Sequence, residues 1–234
     1  MAPPGQEARA HWRAGRPGSF VRGAARPAAT TRPGPYVPEV TLQTGPTLVP
    51  EPFAGALVRL REAVGRPDRV GLALSEVPAP KRLAPYAVAV SAEIRRDDDQ
   101  VASGRFVVLH DPEGQEGWGG DTRVVAFVSA DVEAEMAADP SLAQVGWSWL
   151  TESLQDRGAG HTSAGGTVTR TVSCRFGQIE EADEASEVEV RASWTPLAAD
   201  DGSLDLEVHL LAWCDLLCAT AGLPPPGVVA LRAR

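Results

Sequence analysis

Apolar residues recur at helical spacing near residue 50, where the patterned part of the chain begins. The segment PEPFAGALVRLREAVG, residues 50–65, places its apolar residues three or four positions apart, which predicts a helix that ends at Gly65. A short apolar run, VGLALSEVPAP (70–80), follows, and its prolines end any extended structure that it forms. This part of the chain therefore predicts one helix and no more than a short extended segment.

Alternation in the first segment, and short apolar runs bounded by turn residues in the next two, predict three strands next. They are YAVAVSAEI (86–94), GRFVVLH (104–110) and TRVVAFV (122–128). An acidic turn separates the first two, and the turn-rich loop DPEGQEGWGGD (111–121) separates the last two. Short connections between neighbouring strands predict an antiparallel meander.

The stretch VGWSWLTESL, residues 145–154, has two tryptophans two positions apart and fits either a helix or a strand. An Asp-Pro-Ser sequence before it and a glycine after it are typical helix boundaries, so we interpret residues 140–157 as a helix. In a helix, Trp147 and Trp149 point about 200° apart. Such a helix needs burial on two sides, either by the C-terminal helix or by a partner.

Two further strands and a last helix complete the pattern. The strands are TVTRTVSCRF (167–176) and EVEVRASW (187–194), each with one apolar and one polar face, and the helix is LEVHLLAWCDLLCATAG (206–222). The order α-βββ-α-ββ-α predicts an α+β fold, in which three helices cover one face of a five-stranded, mostly antiparallel sheet. This layout resembles the fold of the type III secretion chaperones.

Residues 1–49 show no such pattern. They are rich in proline, glycine, alanine and arginine, and this composition buries too little apolar surface to offset the entropy of ordering. We predict a disordered arm over residues 1–49 and one α+β domain over residues 50–234. The arm is a basic contact for nucleic acid or for an acidic partner, an inert tail, or a segment that results from counting translation from a start codon upstream of the real one.

Charge divides the chain unevenly. The formal net charge is −9, yet residues 1–34 hold six arginines and one glutamate, which leaves 16 basic and 30 acidic residues, a net of −14, for residues 35–234. An acidic body repels phosphate backbones, so we expect the folded part not to bind nucleic acid. Every apolar run is shorter than a membrane span, no secretory signal is apparent, and three cysteines are too few for a disulfide framework. These features predict a cytoplasmic protein without a membrane segment.

The loop at residues 111–121 and the strand before it carry most of the polar candidates. His110 and Asp111 form a doublet that also occurs in metal-dependent phosphohydrolases, but their position at a strand end favours a turn cap at Asp111 and a histidine at the sheet rim. Gln115 is a further polar candidate of this loop. Trp118 lies among glycines, and it either contacts a partner or folds back over the edge of the core.

Arg170 occupies the middle of the apolar face of its predicted strand. A guanidinium there must reach water or pair with a carboxylate, such as that of Asp215 or Glu152. The other interpretation is an anion-binding site.

Catalytic, cofactor and metal motifs do not emerge from the sequence. Cys214 and Cys218 share one helix face and Cys174 points to the apolar side of its strand, without the spacing of a zinc knuckle. This arrangement favours buried structural thiols. We therefore predict no cofactor and no metal, and we assign no catalytic residue.

Several phrases of the chain resemble a single family: EVPAPKRLAPYAVAVSAEI, GRFVVLHDPEGQEGW, GWSWLTESL, GTVTR, RASWTP and LLAWCDLLCATAGLPPPGVVAL. From about Pro50 to Leu231, the chain is similar to an actinobacterial family known as domain of unknown function three thousand. The resemblance implies a bacterial cytoplasmic protein and transfers no catalytic residue.

Two functional hypotheses follow. The first is a non-enzymatic, acidic, protein-binding or chaperone-like module that engages another chain or a second copy of itself through the helix face at Trp147 or Trp149. The second is a small enzyme or anionic-ligand-binding protein with a pocket at the sheet. That pocket would be built from Arg170, His110, Asp111 and Gln115.

Overall fold

Each patterned segment of the sequence forms a regular element in the computed structural model, which describes residues 49–67, 69–174, 176 and 185–224. The predicted disordered arm, apart from Val49, lies outside the described residues, and the predicted domain boundary at residue 50 stays a prediction. In chain order the described elements are α1 (Phe53–Val64), β1 (Leu72–Val77), β2 (Tyr86–Arg96), β3 (Asp99–His110), β4 (Thr122–Asp131), α2 (Ala134–Ala138), α3 (Leu142–Asp156), β5 (His161–Ser173), β6 (Ala185–Pro196) and α4 (Leu206–Thr220).

The strands form one antiparallel sheet in the order β1-β2-β3-β4-β6-β5. The α+β class is confirmed, but the sheet has six strands rather than the predicted five. The additional strand is β1, which pairs with β2 from Leu72 opposite Ile94 to Val77 opposite Ala89. The prediction missed it because the run is short and proline-terminated, features that an edge strand tolerates.

Two further differences concern the second half of the chain. The short helix α2 makes four described helices rather than the predicted three. The outer strand β5 begins at His161, six residues earlier than predicted, and its pairing with β6 shifts between Thr162 and Gly165. Glycine and serine weaken a strand pattern in sequence, but a bulged edge strand accommodates them.

The segment with two tryptophans is helical, as predicted. Helix α3 buries Leu142, Gly146, Leu150 and Leu154 along one side. These residues recur four positions apart, which is the spacing that places side chains on one face of an α-helix. Among the described residues, no helix is long and apolar enough to span a membrane.

The main core lies between the inner face of the sheet and the helices. Helix α4 is apolar almost all round and lies over the middle strands, where Gly104 of β3 permits a close approach. A side chain on Gly104 would place its Cβ 2.7 Å from the ring of Trp213, whose indole Nε1 donates a hydrogen bond of 3.1 Å to the carbonyl of Phe127. A small residue at this point of β3 is therefore a packing requirement.

The sequence pattern predicted a polar outer face of the sheet. In the structure this face is not uniformly polar. Ala89, Val107 and Leu109 form a second, smaller buried cluster there, and Trp118 packs against it. The loop at residues 111–121 therefore covers one end of the outer face.

Candidate functional site

Four of the predicted site residues meet at one end of the sheet, where β3 leads into the loop at residues 111–121. The carboxylate of Asp111 accepts hydrogen bonds from the backbone N–H of Glu113 at 3.2 Å and from Gln115 Nε2 at 3.1 Å. Gln115 Nε2 also donates to the carbonyl of Leu83 at 3.0 Å. Asp111 is thus the turn cap that its position after the strand indicated.

Trp118 adopts the second of its two predicted arrangements. Its ring is half-buried against the outer-face cluster, and its carbonyl accepts a hydrogen bond from the hydroxyl of Thr195. The tryptophan therefore holds the loop on the sheet.

His110 is the most constrained residue of this group. Its side chain is only 5% exposed, and its ring stacks on Phe53 at the start of α1, with 4.5 Å between ring centres and 13° between ring planes. His110 Nδ1 lies 2.9 Å from Thr122 Oγ1, which in turn donates a hydrogen bond of 2.8 Å to Asp121 Oδ1. The antiparallel register places His110 directly opposite Thr122.

A cleft of about 330 Å³ opens beside His110. It lies where α1 begins, β3 and β6 end, β4 begins and the loop before α4 passes. Sequence reasoning missed Phe53, Asp121 and Thr122 as parts of it. The register of a β3–β4 hairpin could have indicated Thr122, whereas Phe53 reaches the cleft only through helix packing.

Arg170 does not join this group. It lies on β5 opposite Val188 of β6. Val188 is opposite Ala130 of β4, which is in turn opposite Ala102 of β3. His110 is eight residues farther along β3, which at about 3.3 Å per residue separates the two positions by roughly 26 Å along the strands. The four residues of the predicted pocket therefore do not line one cavity.

The guanidinium of Arg170 caps the end of α2. Its Nη1 donates to the backbone carbonyls of Ala137 at 3.1 Å and Asp139 at 2.5 Å. The predicted pairing with the carboxylate of Asp215 or Glu152 is wrong. A carbonyl at a helix end carries partial negative charge, so it satisfies an arginine that the sequence alone appeared to leave unpaired.

Asp215 instead pairs with two other arginines. Its carboxylate lies 2.7 Å from Arg69 Nη2 and 2.5 Å from Arg157 Nε. Burial would raise the pKa of Asp215, but hydrogen bonds from Arg157 and Arg69 outweigh it and hold that pKa below its usual value. This network borders a cleft of about 670 Å³ between α3 and α4, which Trp149 also lines.

The two tryptophans of α3 are both half-buried against the main core. Trp149 faces the cleft beside α4, and Trp147 lies over β5, where a Cβ added to Gly166 would come within 2.9 Å of its ring. The chain itself therefore covers a large part of both indoles, because α3 contacts α4 on one side and β5 on the other.

The cysteines divide into two kinds. Cys214 and Cys218 are buried on α4, whereas Cys174 is exposed rather than on the apolar side of its strand as predicted. The prediction extended β5 to residue 176, but the strand ends at Ser173, so the alternation no longer governs Cys174. Among the described residues, no group of three histidine, cysteine or acidic side chains could hold a metal ion.

Strand β5 forms the open edge of the sheet. It has thirteen residues, most of them exposed, and within the described ranges it pairs only with β6. Each of the other five strands contains an aspartate or glutamate, whereas β5 has none. The edge is thus long, weakly charged and accessible.

Within the described residues, the fold and these sites define an α+β protein with one antiparallel sheet, an edge strand β5 that pairs only with β6, and clefts beside His110 and Trp149. The chain belongs to the family described as "Protein of unknown function (DUF3000)", whose model matches residues 49–229. The resemblance found in the sequence is thereby confirmed. Comparisons with curated proteins and with solved structures returned no match.

Proposed function

We propose that this chain is a non-enzymatic protein-binding module whose binding element is the open edge of β5. The observation that supports this function is the length of that edge: thirteen residues of strand, paired on one side by β6 and by no described strand on the other. An edge of this kind presents a row of backbone N–H and C=O groups, which pair readily with a strand of another chain.

Apart from the bulge between Thr162 and Gly165, strand β5 lacks the features that usually prevent such pairing. It has no proline, no lysine and no acidic residue, and its one arginine, Arg170, is directed to the carbonyls at the end of α2. The opposite edge differs. Strand β1 has six residues, carries Glu76 in an ion pair with Arg61 of α1, and is followed by Pro78. Of the two described sheet edges, β5 is the one suited to strand addition.

The partner that we propose is a second copy of the chain. Residues 35–234 carry a net charge of −14, so two copies repel each other over most of their surfaces. The acid-free strand is where that repulsion is weakest. Antiparallel pairing of two β5 strands would place threonines near threonines, a favourable cross-strand combination, and would join the two sheets into one.

Helix α3 supports this edge from the inner face. Trp147 covers Gly166, and a Cβ on Gly146 would come within 3.1 Å of Val168. The close packing holds β5 in place before a partner arrives, which lowers the entropic cost of association. The proposed role of the tryptophan helix is therefore to position the binding strand, and the contact with the partner is made by β5.

The proposal is tested by the mass of the full chain in solution. Wild type should run as a dimer in light scattering and sedimentation over a wide dilution series. Thr169→Lys adds a positive charge to the β5 edge, at the position opposite Glu189 on β6. This substitution should convert the dimer to a folded monomer. Ser75→Lys makes the same change on β1 and should leave the dimer intact.

Two results would contradict the proposed homodimer. One is a wild type that is monomeric, and the other is a dimer that survives Thr169→Lys but is lost in Ser75→Lys. A third result is a monomer in which an extended client peptide protects the β5 amides from hydrogen exchange. It would indicate that the edge binds other chains in a chaperone-like manner and does not pair with a second copy.

The alternative function, a small enzyme or a ligand-binding protein, is favoured by one observation. The cleft of about 330 Å³ has the size of a small-molecule site and contains the buried His110. A small molecule could bind in this cleft without contacting the β5 edge.

A further inference from the structure

We propose that the cleft beside His110 binds a small organic cation, a protonated amine attached to an apolar body. This site goes beyond the proposed strand addition and is independent of it. The argument rests on the protonation pattern around His110, on the charge of the cleft and on the apolar character of its walls.

The hydrogen bonds of Thr122 determine which nitrogen of His110 carries the proton. Thr122 Oγ1 donates its only hydrogen to the carboxylate of Asp121 at 2.8 Å. It must therefore accept the bond from His110 Nδ1, 2.9 Å away, so Nδ1 carries the hydrogen. In the neutral ring, Nε2 then has a lone pair and acts as an acceptor.

That acceptor is available to a ligand. His110 lines the cleft, and within the described part of the chain Nδ1 is the only ring nitrogen of His110 with a hydrogen-bond partner. Nε2 is not among the fully buried, unpaired atoms of the described side chains, so a donor in the cleft can reach it, and it is a suitable acceptor for an N–H group. Stacking on Phe53 and the bond to Thr122 keep the ring in one orientation.

The charge of the cleft selects a cation. Asp121, which is 59% exposed, is the one charged side chain among the described residues that line it. The guanidinium of Arg123 lies behind the wall, where it donates to Ser193 Oγ at 2.7 Å and to the hydroxyl of Thr195 at 3.0 Å. An anion would therefore find a carboxylate and a lone pair in the cleft, both of which repel it.

The remaining walls suit an apolar body. The apolar residues that line the cleft include Pro52, Phe53, Pro196, Leu197 and Leu204. A ring or short alkyl chain would lie against these side chains, while its ammonium group donates to His110 Nε2 and is attracted by Asp121. The volume of about 330 Å³ restricts the ligand to a compact molecule.

The test uses the full chain and two probes that share a ring but differ in charge, phenethylamine and phenylacetate. Histidine-labelled protein has only four imidazoles, so the signals of His110 can be followed directly by NMR. Phenethylamine should shift the Nε2 signal of His110 and raise the melting temperature, because a ligand of the native state stabilises it. Phenylacetate should do neither.

Two carboxylate variants complete the design. Asp121→Asn should weaken phenethylamine binding by about tenfold, because it removes the negative charge of the cleft that attracts the ammonium group. Asp200→Asn removes the same charge from an exposed position on the neighbouring loop and should leave the affinity unchanged. Equal binding of phenylacetate, an unshifted His110 signal, or an unaltered affinity in Asp121→Asn would overturn the proposal.

Discussion

Acidification should destabilise this protein through His209, a buried histidine of α4. The side chain is 2% exposed, and its Nδ1 lies 3.1 Å from the indole nitrogen of Trp194. An indole N–H can only donate, so Nδ1 is the acceptor and the imidazole is neutral. Burial, and to a lesser degree the nearby His161, lowers the pKa of His209 to about 4, against an opposing effect of Asp205.

The sign of the effect follows from comparing the folded and unfolded chains. The unfolded histidine binds a proton as the pH falls through about 6.5, whereas the folded one resists protonation until about pH 4. Stability from this residue is therefore fully present above pH 6.5 and is lost between pH 6.5 and 4. At about 1.4 kcal/mol per pH unit, the loss from pH 7 to pH 4 is about 3 kcal/mol.

The measurement is urea unfolding followed by tryptophan fluorescence, for wild type and His209→Gln, at pH 7 and pH 4. Glutamine can accept from Trp194 but does not titrate, so other ionisable groups cancel in the difference between the two proteins. The stability advantage of wild type over the variant should shrink by about 3 kcal/mol on acidification. An advantage that is the same at both pH values would refute the neutral, buried state of His209.

Two substitutions, each with a matched control variant, test the packing and the ion network by the same unfolding measurement. Gly104→Ala should cost about 1–3 kcal/mol because its Cβ would meet Trp213 at 2.7 Å, while Gly165→Ala, which points into open space, should change stability by less than about 0.5 kcal/mol. An equal effect of both alanines would contradict the close approach of α4. Asp215→Asn should cost about 2–4 kcal/mol because it weakens two short, largely buried bonds to arginine, whereas Glu76→Gln, in an exposed ion pair, should cost less than about 1 kcal/mol. A neutral Asp215→Asn would show that the network does not stabilise the fold.

The candidate sites were only partly predictable. The turn at Asp111 could be anticipated because an aspartate after a strand caps its own loop, a contact made within a few residues. The hydrogen-bond partners of Arg170 could not be anticipated, because the backbone carbonyls that accept from its guanidinium leave no signal in the sequence. Trp147 and Trp149 were correctly placed on different sides of a helix, but the elements that cover them are distant in the chain.

Local periodicity alone determined the α+β class, five of the six strands and the three long helices, because each element must match its own hydrophobic repeat to the face that it buries. Tertiary structure alone decided that β1 joins the sheet, that β5 pairs with no second described strand, and that Phe53 stacks on His110. These outcomes depend on which distant segments meet. Strand order and helix placement are set by burying the whole apolar surface at once, and no single stretch of sequence contains that information.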